Sequence, residues 1–240
     1  MSRINYLLKY HFLVYMKSNK FVMPLFIFLL FVGTTYSTTP LPVVSTLVMI
    51  STSLFYLMVW ISMTYMTVEN PVSEQLIILK VKSHTLYNFS KILFLLLVGI
   101  ALSIISIIVT ILIYLFGDIF IRNLTLIDIL AAFILHCFIA LLGVIVGMFF
   151  NSRVIKERKS GIMLTVLVAV MALAKVPLNE KMPLTKFITW LFPPLYNVID
   201  LFIKDDFFLM NNVAIAVLYI CIYSLIAGFL YLYILKKKKF

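Results

Sequence analysis

Long apolar runs at 21–38, 43–66, 92–116, 128–150, 161–178 and 213–235 follow one another with only short polar breaks. A bilayer's hydrocarbon core of about 30 Å takes about 20 apolar residues per helical crossing, so this chain is mostly membrane-crossing segments. Inside lipid every backbone amide must pair within the protein, which leaves helices or a closed barrel. A barrel would show alternating segments of about ten residues, and none is present. The expected fold class is therefore all-α integral membrane, with six transmembrane helices in a single transmembrane domain over 1–240. A shorter apolar piece, 187–203, contains Pro193 and Pro194 and is flanked by Lys186 and Lys204. A crossing there would be broken in its middle, so 179–212 reads as an outer re-entrant or interfacial segment before span six.

Composition closes off the soluble alternatives. Only 12% of residues are charged and 64% are hydrophobic, against about 25% charged in soluble domains, which leaves no room for a water-facing module beside the spans. The net charge of +11 is spread over one set of alternate loops, which makes it a topology signal and argues against nucleic-acid binding. With the N-terminus inside, 15 of the 20 Lys and Arg fall on the inner side, including Lys236 to Lys239, while six of the nine acids fall outside. The expectation is a plasma-membrane protein with both termini cytosolic. Before the first span, Ile4, Leu7, Leu8, His11, Phe12 and Tyr15 recur at helical spacing, so 1–20 is expected to form an amphipathic helix in the inner interface. A cleaved signal peptide is the rival reading, but no small-x-small cleavage site stands before Pro40.

The inner segment Asn70 to Lys91 (NPVSEQLIILKVKSHTLYNFSK) carries the most chemistry. Asn70 is suited to cap a helix, Pro71 to its first position, and Glu74 to the positive end of its dipole. Val72, Leu76 and Leu79 follow at i, i+4 and i+7, with Ser73, Glu74, Gln75, Lys80 and Lys82 on the remaining faces. A short helix across the inner mouth of the bundle is predicted, its charges offered to a cytosolic partner. An ordinary solvated loop is the plainer alternative.

Glu69, Glu74, Leu76, Leu79, Ser83 and Lys91 stand where ATP-binding-cassette type-2 permeases place an acid, a second Glu, a leucine-rich turn, a small polar residue and a Lys entering span three. The chain resembles that family over its whole length: an amphipathic start, six spans, both ends inside and a broken segment before the last span. It departs at Pro71, Val72 and Ser73, where a Gly-Thr pair is usual, and at Val81, where Pro is common. The resemblance implies a permease subunit of an exporter that binds a separate nucleotide-binding ATPase and works with a second permease, a copy or a homologue. Cofactors then belong to the partner: ATP and Mg would sit on the ATPase, none on this chain. Consistently, the seven glycines offer no Gly-x4-Gly-Lys-Ser/Thr loop to cradle phosphate. Contact with the ATPase would fall to Glu69, Glu74, Leu76, Leu79, Lys80 and Lys82. Arg153, Lys156 and Arg158 form a second inner loop that would be a secondary contact or a plain topology-fixing loop. Closure of the ATPases would push on 71–82 and tilt the bundle. An amphipathic peptide or hydrophobic compound suits the greasy lining, as in exporters of bacteriocins or phenol-soluble modulins.

Other residues are suspects because polar groups are costly in lipid. Asp128 reads as an interfacial helix cap. His136, about two turns deeper, is either a pathway residue or a histidine satisfied by a neighbouring helix. Gly143 and Gly147 form a Gly-xxx-Gly pair that could make a dimer seam. Lys175 is expected to snorkel outward, and Trp190, Phe192, Pro193 and Pro194 to form an outer gate or a plug at headgroup depth. Cys137 and Cys221 are small hydrophobes within apolar runs, and Asn88 and Asn123 match a glycosylation pattern by chance. No His-Glu-x-x-His or Ser/Lys arrangement supports an integral-membrane hydrolase. A secondary transporter, or a non-transporting immunity or sensor protein, is the remaining alternative to the exporter.

Overall fold

The computed structural model describes residues 3–117, 119–151, 153–203 and 206–237. Within them the chain is helical, with a single parallel bridge between Leu41 and Phe120. The order is α1 (Arg3–Lys17), α2 (Val22–Thr35), α3 (Val43–Tyr65), α4 (Pro71–Val81), α5 (His84–Phe116), α6 (Leu126–Phe149), α7 (Arg158–Lys181), α8 (Lys186–Thr189), α9 (Leu195–Asp200) and α10 (Met210–Lys237).

Five helices, α3, α5, α6, α7 and α10, are long and apolar enough to cross a membrane, which makes this an all-α, multi-pass membrane architecture. The first expected span, 21–38, is shorter than foreseen. α2 has 14 residues, a length of about 21 Å at 1.5 Å per residue. It is long enough to cross only together with α1, from which it is bent by 81°. The third span is longer than its apolar run: α5 begins at His84, so Lys91 lies inside it.

α3 and α6 form the centre. α6 carries Ala131, Ala132, Ala140, Gly143 and Gly147 on its buried face, and small residues let two helix backbones approach. A methyl group built on Gly143 would stand 2.6 Å from the Phe55 carbonyl oxygen, and one on Gly147 would run into the Val59 carbonyl. The Gly-xxx-Gly pair is thus consumed inside the protomer by α3, which corrects its reading as a dimer seam. Gly99 of α5 meets Ala140 in the same manner, at 2.9 Å. Around this centre one apolar cluster gathers Leu47, Phe55, Leu135, Leu142 and Ala216 together with Leu195, Val198 and Phe202. A second holds Tyr15, Phe28, Leu54, Met58, Phe94 and Tyr231.

The helices alternate direction, so the two described chain ends lie at one end of the bundle. There α1 meets Tyr65 and Ser90 through His11, and Asn151 Nδ2 donates to Tyr231 Oη of α10 at 2.9 Å. The opposite end is latched by Arg122, whose guanidinium makes paired bonds to Asp128 (2.7 and 2.9 Å). It also donates to the Asp206 carbonyl and covers the Phe207 ring at 4.2 Å. Asp128 serves as the third residue of a capping box whose cap is Thr125. In the expected re-entrant stretch, Pro193 and Pro194 separate the short helices α8 and α9, and α9 packs into the core through Leu195 and Val198.

Candidate functional site

The α4 end of the bundle concentrates the charged groups, and local sequence fixes α4 within it. The Asn70 side chain accepts from Val72 N at 3.0 Å, Pro71 occupies the first turn, and Lys82 ends the helix in the left-handed region with φ 57°. Ser83 then caps α5 by accepting from Leu86 N at 3.2 Å. The helix start read from Asn70, Pro71 and Glu74 is the one observed.

The direction of its faces differs from the expectation. Glu74 and Ile78, one turn apart, are buried, and Ile77 and Val81 join Leu7 and Tyr87 beside them. Val72, Leu76 and Leu79 point away from the protein, 62%, 63% and 71% exposed, and Lys80 and Lys82 are exposed beside them. The carboxylates, expected to face a partner, are turned inward. Lys91 Nζ lies 2.7 Å from Glu74 Oε1 and 3.0 Å from Glu69 Oε2. Arg153, expected on a cytosolic contact surface with Lys156 and Arg158, reaches back to Glu74 Oε2. Two acids and two bases neutralise one another, which explains why α4 turns its acid rather than its leucines to the bundle: a buried cation such as Lys91 is tolerated only when paired.

Hydrogen bonds complete the cluster. Tyr10 of α1 donates to Glu69 Oε1 at 2.7 Å, and Tyr87 of α5 donates to Glu69 Oε2. Lys91 also sits 4.6 Å from the centre of the Tyr87 ring. Burial alone would push the Glu69 carboxyl up, but the Lys91 ammonium and the bonds from Tyr10, Tyr87 and Lys91 outweigh it and hold the group below the ordinary carboxylate range. Next to it His11 is fully buried. Ser90 donates its proton to the Tyr87 carbonyl, so it accepts from His11 Nε2 at 2.8 Å, and His11 Nδ1 accepts from Tyr65 Oη at 2.7 Å. Tyr65, Tyr87 and Phe94 close around the imidazole. One cluster thus ties α1, α3, α4, α5 and the α6–α7 connection together.

The remaining expected residues lie elsewhere. His136 is fully buried, its Nε2 facing the Leu47 carbonyl at 3.1 Å and its Nδ1 the Ser106 hydroxyl at 2.9 Å. It joins α3, α5 and α6, and with both ring nitrogens engaged it corresponds to the expected alternative of a histidine satisfied by neighbouring helices. Lys175 turns inward and donates to the Pro193 carbonyl at 3.1 Å instead of snorkelling. Of the expected gate, Trp190 is 75% exposed, Phe192 and Pro194 are half-buried, and Pro193 is buried. Lys156 and Arg158 are exposed at the α4 end. Lys204, Lys238 and Lys239 of the charge pattern lie outside the described residues. Among the described residues, no group of three or more His, Cys, Asp or Glu is placed to hold a metal ion.

The chain matches no family model, and neither the curated proteins nor the solved structures hold a significant match to it. What the arrangement can do must therefore be read from its mechanics. A short helix with an apolar outer row is bound by buried charge to α5 through Lys91 and to the α6–α7 connection through Arg153, so a force applied to that row reaches both.

Two residues central to the cluster, Tyr10 and Tyr87, carry no sequence signal. Lys91 does carry one: a lone cation inside the start of an apolar helix needs an acid, and Glu69 and Glu74 are the nearest in the chain.

Proposed function

We propose that this chain is the membrane-spanning subunit of an ATP-driven exporter, moved by a separate ATPase that docks on the outer row of α4. The observation that carries the reading is the division of α4 into two faces. Its acid is bonded to Lys91 and Arg153, while Val72, Leu76 and Leu79 stand exposed, with exposed Lys80 and Lys82 at the end of the helix. An apolar row on the end of a bundle, with lysines at one end of it, suits a protein partner with an apolar groove and an acidic flank. The type-2 permease resemblance supports the same partner, while the inward pairing of Glu69 and Glu74 gives these acids the transmission of force instead of contact with the ATPase. A second permease, a copy or a homologue, completes the unit. Its cargo is an amphipathic peptide or a hydrophobic compound, because the spans offer few polar groups to a hydrophilic one, and ATP and Mg are held by the partner.

The test is purification of the chain from detergent-solubilised membranes of its own cells, with an ATPase subunit expected to copurify. Leu76→Asp and Leu79→Asp are expected to abolish the complex while leaving membrane insertion intact. Movement of cargo under a proton gradient, without ATP and without a bound ATPase, would replace this reading by a secondary transporter.

A further inference from the structure

Beside the ion cluster, between the ends of α3 and α6 and the start of α7, lies a cleft of about 280 Å³. Its walls divide by chemistry: Met63, Met66, Phe150 and Ile162 are apolar, while Thr64, Thr67 and Arg158 form a polar rim. Glu69 and Asn151 also line it, but both are already engaged. Glu69 is held by Lys91, Tyr10 and Tyr87, and Asn151 by Tyr231 and the amides of Arg153 and Val154.

Lys20, in the bend between α1 and α2, reaches this rim from the other side. Its Nζ donates to Thr67 O at 3.0 Å and Thr67 Oγ1 at 2.9 Å, which leaves one of its three donors over. Among the described residues no carboxylate pairs with Lys20 or Arg158 in a salt bridge. The nearest acid in sequence, Glu157, accepts from Ser160. Partial burial and the positive charge of Arg158 both pull the Lys20 pKa below its usual value, which places the two cations within each other's field. Two like charges from separate elements thus meet at one rim, and the carboxylate that shares the cleft, Glu69, is already paired with Lys91.

We propose that this cleft holds the phosphate of an anionic lipid headgroup, gripped by Lys20 and Arg158, with the upper acyl and glycerol carbons against Met63, Met66, Phe150 and Ile162. The cleft stands at the end of membrane-crossing helices, where hydrocarbon gives way to headgroups, and basic pockets between such helices suit anionic lipids. A lipid phosphate is the anion that arrives there already joined to apolar carbon, which matches both walls. The inference is independent of the ATPase reading, since neither cation belongs to the α4 row.

The experiment measures the melting temperature of the full chain in a neutral detergent during titration with dioctanoyl phosphatidylglycerol, dioctanoyl phosphatidylcholine or inorganic phosphate. A saturable rise with phosphatidylglycerol, and not with the other two, is expected. Each cation removed should weaken the half-saturating concentration by roughly fivefold, in Arg158→Gln alone and more in Lys20→Gln/Arg158→Gln. Lys236→Gln/Lys237→Gln should change nothing. Arg158→Gln is the safe arm, because the Arg158 side chain is exposed and its loss leaves no buried group unpaired. Equal rises with phosphatidylcholine, an unchanged midpoint in both site variants, or an equal loss in the tail variant would overturn the site. A saturable rise with inorganic phosphate alone would reassign it to free phosphate and overturn the lipid.

Discussion

The ammonium of Lys91 is 2.7 Å from a carboxylate oxygen of Glu74, 17 residues earlier in the chain, and both side chains are under a tenth exposed. This bond joins α4 to the helix that follows it. With Glu69 and Arg153 it makes a closed set of charges, in which removing one member strands another.

Lys91→Met is therefore expected to destabilise the protein by about 3–5 kcal/mol, the usual cost of leaving a buried charge without its partner. Reversible unfolding in mixed detergent and SDS micelles measures it. Adding Glu69→Gln to Lys91→Met should recover part of the loss, because Glu69 is the acid left without a cation while Glu74 keeps Arg153. Additive losses across the two substitutions would show that the charges are not coupled.

Acid should loosen the same junction. The Glu69 carboxyl is held below its ordinary value of 4.5, so its contribution to stability is complete above that value and disappears as pH falls through the lowered folded value. Melting temperatures taken downward from pH 6 should fall steeply below about pH 4.5, the ordinary range of a glutamate. Glu69→Gln should start lower and show a shallower slope across that window. Parallel slopes for the two proteins would exclude Glu69 as the titrating group.

The α3–α6 seam gives a prediction about assembly. A methyl at Gly143 lands 2.6 Å from backbone of α3, and a carbonyl oxygen cannot rotate aside as a side chain can. Gly143→Ala should cost about 1–3 kcal/mol by overpacking, with no change in the oligomeric state seen by light scattering in detergent. A changed mass at unaltered stability would return these glycines to an interface between chains.

At the opposite end, Arg122 should behave as a latch. Its planar fork matches Asp128 at 2.7 and 2.9 Å, and lysine cannot reproduce that geometry. Arg122→Lys should lose most of the stability lost in Arg122→Gln. A double-mutant cycle with Asp128→Asn should return a coupling of about 0.5–3 kcal/mol. Coupling near zero would reduce the pair to a surface contact.

Much of the architecture was readable from the residues, because hydropathy is a one-dimensional signal and a bilayer imposes one length. The runs at 43–66, 128–150 and 213–235 correspond closely to α3, α6 and α10. The start of α4 was equally legible, since Asn70, Pro71 and Glu74 act on their immediate neighbours. Which way α4 faces was not. Val72, Leu76 and Leu79 make a better apolar stripe than Ile78 with Glu74, and only Lys91 and Arg153, distant in sequence, reverse the preference. Gly143 and Gly147 were legible as a close-approach motif but not as to whose backbone approaches, for α3 and a second chain present the same demand. α2 fell short mainly at its far end, where Tyr36 leaves the helix (φ -89°, ψ 3°) and the turn and bend over 36–38 use residues that hydropathy counts toward the span.

The engagement of both His11 ring nitrogens has a consequence for how the first helix behaves. A cylinder resting on an oily surface can roll about its long axis at almost no cost, since one greasy side is as good as another. α1 cannot, because its imidazole is threaded like a key between Tyr65 and Ser90. Its azimuth is slaved to α3 and α5, and a spin label at exposed Tyr6 would report the rotation of those two rods from outside the bundle.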